Sequence, residues 1–100
     1  MVTNQSALGT KRKQLQITVK RMASILDQGD EESIERHLTT LRTIISDVEK
    51  LRLAVEVEKI ATEEDTSEWE NVINGEITQA DNCVRATNAW LNDNQKKQNV

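Results

Sequence analysis

The sequence predicts an all-α fold, an antiparallel bundle of three long, coiled-coil-like helices, and three observations predict it. Proline is absent and glycine occurs three times in 100 residues, too little turn punctuation for a sheet architecture. Charged side chains make up 30% of the chain, as the wet faces of long helices require. Between Ser33 and Ile60 the apolar residues Ile34, Leu38, Leu41, Ile45 and Val48 step by four, three, four and three, the rhythm of a helix that buries one narrow seam. The length suits a single domain with one modest core, expected over residues 8–91. That core must be aliphatic, because Phe and Tyr are absent and Trp69 and Trp90 are the only aromatics.

The central helix is expected over about 31–60. Val55 continues its rhythm after Arg52 takes one seam position. Ile44, Leu51 and Leu53 widen the stripe, and with Val57 they exceed what two thin neighbouring helices would cover. These four, with Trp69 and Trp90, form the candidate interaction surface. The helix opens after Asp27-Gln28-Gly29-Asp30, where Gly29 can take a left-handed conformation and Asp30 can cap the next helix. So short a connection makes the first two helices antiparallel neighbours. Glu31 and Glu32 suit the positive end of the helix dipole, and Glu32 with Arg36 makes a favourable pair one turn apart.

The first helix is expected over about 8–28, capped between Ser6 and Thr10, with the polar residues 1–7 disordered. Its seam is Leu15, Val19, Met22 and Leu26, extended by Ile17 and Ile25. The third helix is expected over about 67–92, with Asp65, Thr66 or Ser67 as cap and Glu68 and Glu70 behind it. A chain that stays helical through this link, as a rod, is the alternative. Ile73, Ile77, Ala80, Val84 and Leu91 fall at heptad spacing, with Thr87 in the missing position. Trp69, Cys83 and Trp90 line up beside that seam. Gly75 predicts a kink or a break, Asp81 and Arg85 a second ion pair, and residues 93–100 a frayed tail or linker.

Charge is distributed unevenly. Residues 1–26 carry Lys11, Arg12, Lys13, Lys20 and Arg21 without an acid, whereas residues 27–82 carry sixteen acids against five bases, so that the total of −4 conceals two opposed halves. The simplest reading is that a basic helix lies against acidic neighbours and the charges set register. The other is a basic patch, those same five residues, for nucleic acid or an anionic membrane.

Catalytic and metal chemistry find no support in the residues. His37 is the sole histidine and has no partner at ligand spacing. Glu63, Glu64 and Asp65 are consecutive, so they diverge on a helix, and no calcium-loop pattern surrounds them. Cys83 is the only cysteine, which rules out an intrachain disulfide, and no histidine is placed to make it a nucleophile. No cofactor is expected. The lack of an apolar span or a leader-like opening predicts a soluble, intracellular, cytoplasmic protein.

The order of features resembles the N-terminal helical domain in the gag region of BEL/Pao-type retrotransposon polyproteins. The resemblance lies in the basic amphipathic helix LGTKRKQLQITVKRMASILD, the polar turn QGDEES, the long helix IERHLTTLRTIISDVEKLRLAVEVEKI and the acid-led helix TEEDTSEWENVINGEITQADNCV, roughly residues 8–91. The chain departs from it in lacking the Phe or Tyr such domains carry near the end, and it has no zinc knuckle. The resemblance implies a non-enzymatic assembly or scaffolding module, a homo-oligomer joined through helix–helix contacts. The alternative is a regulatory adaptor that takes a partner helix into a groove, as syntaxin-type N-terminal bundles do.

Overall fold

Two helix-ending turns govern the architecture. In the computed structural model, which describes residues 3–98, the first helix, α1 (Asn4–Gln28), stops at Gly29 in the left-handed conformation, φ 71°, whose N–H donates to the Leu26 carbonyl at 3.1 Å. Glycine takes this conformation without the Cβ penalty other residues incur. The second helix, α2 (Glu31–Ala61), starts directly after Asp30 and runs back along the first. Asp30 makes no side-chain bond to the backbone of α2; its Oδ2 instead accepts from the Ser33 hydroxyl at 2.6 Å.

The second turn uses no glycine. Glu63 takes the left-handed region, φ 58°, its N–H donating to the Ile60 carbonyl at 3.0 Å and that of Glu64 to the Lys59 carbonyl at 3.0 Å. This is the Schellman arrangement. The side chains of Lys59 and Glu64, which flank it, pair at 3.4 Å. The link of residues 62–66 turns the chain, so the continuous rod is not formed. The third helix, α3 (Ser67–Gln98), begins with Asp65 Oδ1 accepting from the Ser67 N–H at 3.0 Å.

Two boundaries and one expected interruption differ from expectation. α1 begins at Asn4, with Thr3 as its cap accepting from the Ser6 N–H at 3.0 Å, so residues 3–7 belong to the cap and first turns and not to a disordered segment. Residues 1 and 2 lie outside the described residues, as do 99 and 100 of the expected tail. α3 continues through 93–98, because each residue added to a formed helix gains a hydrogen bond at little entropic cost. Gly75 neither breaks nor splits it. A penalty of about 1 kcal/mol is small beside the burial of Ile73 and Ile77 on either side.

Side-chain links fix the register. As α1 advances through Asn4, Lys11 and Thr18, its partners on α2 retreat through Glu58, Asp47 and His37, at 2.9, 3.3 and 2.8 Å. α3 crosses back, with Arg42 of α2 donating to Asn88 at 3.4 Å and the Lys59 ammonium 5.5 Å from the Trp69 ring centre. The closest packing is between α1 and α2; α3 meets each of them over fewer residues. The bundle is long and thin, 59 by 26 by 17 Å, with a radius of gyration of 16.4 Å, against about 13 Å for a compact domain of this length. Much of each helix therefore faces solvent.

The buried cluster holds Leu8, Leu15 and Met22 of α1, Ile34, Leu38, Leu41, Ile44, Ile45, Val48 and Val55 of α2, and Ile73, Ile77, Ala80 and Leu91 of α3. Val19, Leu26 and Val84 pack on it from half-buried positions. On α1 the inward line is Leu8, Leu15 and Met22 with Thr18 beside it, so that Val19 and Leu26 turn toward the edge of the core and Ile17 faces out. Two threonines sit inside, and each satisfies its hydroxyl one turn back: Thr18 to the Gln14 carbonyl and Thr87 to the Cys83 carbonyl, both at 2.7 Å.

Candidate interaction surfaces

The basic patch expected on α1 divides in two. Lys11 reaches Asp47 of α2 at 3.3 Å, and Arg12 grips Glu76 of α3 through Nε to Oε2 at 2.8 Å and a terminal nitrogen to Oε1 at 2.7 Å. Gln16 adds a bond to the same carboxylate at 3.2 Å. The bond to Glu76 outweighs burial and raises the Arg12 pKa further above its usual value. These two bases are committed to holding neighbouring helices. Lys13, Lys20 and Arg21 are exposed and form no ion pair among the described residues.

The apolar surface expected on α2 divides as well. Ile44 is only 7% exposed and belongs to the core, a correction to its expected place on the surface. It follows from helix geometry, since Ile44 lies one turn from both Leu41 and Val48, on their face. Leu51, Trp69 and Trp90 are half-buried against the core. Leu53 and Val57 are exposed, Val57 by 67%, and Ile60 joins them at 62%. The three follow a four-then-three step on the face opposite the fully buried Val55. Ile60, like the exposed Val72 of α3, was not among the expected surface residues. The step from Leu53 and Val57 to Ile60 was its available signal.

A shallow groove of about 180 Å³ runs between α1 and α3, lined by Leu15, Gln16, Val19 and Lys20 on one side and Glu76 and Gln79 on the other. A second, of about 200 Å³, lies near the start of α1, where Leu8, Gly9 and Arg12 approach Val55, Lys59 and Trp69.

The remaining chemistry-bearing residues are tied up in the fold. His37 Nε2 lies 2.8 Å from the Thr18 carbonyl, an arrangement in which a protonated Nε2 donates and binds α2 to α1. Burial raises the Cys83 thiol above its usual pKa, more than the nearby Thr87 hydroxyl lowers it, so the reactive thiolate is disfavoured. Glu32 and Arg36 pair as expected. Arg85 donates to Asn82 at 3.2 Å in place of the expected Asp81, an alternative acceptor one turn away. Among the described residues no group of three or more His, Cys, Asp or Glu side chains is arranged to hold a metal ion, and no helix is long and apolar enough to cross a membrane.

Fold and surface together define a long antiparallel three-helix bundle with outward apolar and charged faces. Comparison with protein-family models, with curated proteins and with solved structures returned no match.

Proposed function

We propose that this chain is a non-enzymatic structural module acting through helix–helix self-association, an assembly part of a gag-like polyprotein. The observation that carries the reading is the line of Leu53, Val57 and Ile60 on the outer face of α2. Isolated surface aliphatics are ordinary, but three in register on one helix face form the kind of stripe that a second helix covers. The basic α1, the tight turn at Gly29, the long α2 and the acid-led α3 follow the order that underlies the resemblance to the BEL/Pao gag region. Light scattering over two decades of protein concentration tests it. A mass that rises above the 11.4 kDa of one chain supports self-association, and a single-chain mass throughout removes it.

A second reading, an adaptor that receives a foreign helix, is favoured by the groove between α1 and α3, where Leu15 and Val19 lie beside Gln16 and Glu76. A monomeric chain that binds amphipathic helical peptides would support that reading.

A further inference from the structure

The outer faces of α1 and α2 are opposite in charge and alike in spacing. On α1, Lys13 and Lys20 stand seven residues apart with exposed Ile17 between them and Arg21 alongside. On α2, Glu49 and Glu56 stand seven residues apart, flanking Leu53, with Val57 and Ile60 continuing the stripe. On each helix that interval is about 10.5 Å, so one register can bring both lysines against both glutamates. Neither lysine and neither glutamate forms an ion pair within the chain among the described residues. Lys50 also lies on the outer face of α2, at the N-terminal end of the stripe.

Antiparallel pairing of α2 with α2 of another copy also covers the stripe, and charge opposes it. In an antiparallel pair the same flank of each helix meets across the seam, so Glu49 and Glu56 would face their own counterparts. Setting α1 of one copy on α2 of the next replaces that repulsion with attraction and places Ile17 against Leu53, with Val57 one turn further along.

We infer that the chain self-associates head to tail, the Lys13–Ile17–Lys20 face of α1 docking on the Glu49–Leu53–Glu56 face of α2 in a second copy. This rests on the self-association proposed above and specifies its geometry. Used once per pair of copies, the contact is heterologous: repeated, it closes into a ring where the rotation permits and otherwise grows as a filament. Each open assembly keeps one unused face of each kind at its ends, so growth continues as long as copies are supplied.

Charge exchange tests the pairing. Light scattering is carried out on the wild type, on Lys13→Glu/Lys20→Glu/Arg21→Glu, on Glu49→Lys/Glu56→Lys, and on an equimolar mixture of the two variants, with circular dichroism confirming that each keeps its helices. Each variant alone should associate at least about tenfold more weakly, through like charges brought together at the contact. The mixture should regain association between unlike variants, since one of its cross-contacts joins the unaltered basic face to the unaltered acidic face and the other joins the two exchanged faces. Ile17→Ser and Val57→Ser, which leave charge unchanged, should each weaken association too. A wild-type oligomer indifferent to the α1 changes but lost on Val57→Ser would assign the stripe to α2 of the second copy and overturn the head-to-tail contact alone. An oligomer indifferent to every variant overturns it likewise, while a wild-type chain that stays monomeric overturns self-association itself.

Discussion

The guanidinium of Arg12 and the carboxylate of Glu76 meet through two hydrogen bonds of 2.7 and 2.8 Å, the only paired fork joining α1 to α3 among the described residues. The side chains are 28% and 15% exposed, so solvent screens this pair less than an open surface bridge. It joins two helices that otherwise share little packing. A double-mutant cycle of Arg12→Ala and Glu76→Ala should give a coupling of about 1 kcal/mol, measured by denaturant unfolding. Arg12→Lys should recover only part of it, because an ammonium cannot make the fork. Full recovery by lysine would mean that charge alone matters here.

Leu41 is completely buried at the middle of α2. Leu41→Ala should cost about 2–5 kcal/mol, and Leu41→Asp should leave the chain unfolded, since a carboxylate there has no partner. Circular dichroism melting reads both. An unchanged melting temperature for Leu41→Asp would show that the core lies elsewhere.

The glycines and the left-handed glutamate make predictions of opposite sign. Nothing lies within 4 Å of a Cβ built at Gly75, so Gly75→Ala should stabilise α3 by about 1 kcal/mol. Gly29 has φ 71°, and Gly29→Ala should destabilise by about 1 kcal/mol despite open space around it. Glu63, at φ 58°, should gain about 1 kcal/mol on replacement by glycine, less whatever the neighbouring Lys59–Glu64 pair loses as the turn loosens. Thermal unfolding ranks all three.

Asp65 carries the pH dependence that can be assigned. Its carboxylate accepts the Ser67 N–H, chiefly for that reason its pKa lies below the usual 3.8, and the folded state therefore holds the proton less tightly than the unfolded chain. The contribution to stability is complete above pH 3.8 and is lost as the pH falls through the lower, folded-state value. Asp65→Asn, which keeps an oxygen acceptor and loses the titration, should flatten that part of the acid unfolding curve. An identical slope in the variant would assign the acid sensitivity to other carboxylates.

Helices, their order and most of the core could be read from residue order because those features are periodic. Ile34, Leu38, Leu41, Ile45 and Val48 announce a buried face through spacing alone, and Gly29 announces a turn through its tolerance of positive φ. On α1 the expected line is Leu15–Val19–Met22–Leu26, whereas a second, Leu8–Leu15–Met22 with Thr18, is the more deeply buried. Hydrophobicity favoured the first, because a threonine looks polar until its hydroxyl is known to bond the carbonyl one turn back.

The surfaces were legible only in part, for a geometric reason. Composition shows five bases without an acid in the first 26 residues, but whether a lysine is free depends on which helix faces it. Packing draws Lys11 and Arg12 onto Asp47 and Glu76 and leaves Lys13, Lys20 and Arg21 in solvent. In the same way Ile44 and Leu53 look equivalent as apolar residues beside a seam, and they part because α1 and α3 cover one side of α2 and nothing among the described residues covers the other. Local order along the chain settles what can be helical and which residues prefer burial, since propensity and periodicity act over one or two turns. Which of those residues end up covered is a matter of how three helices cross, and that depends on contacts between segments far apart in the chain.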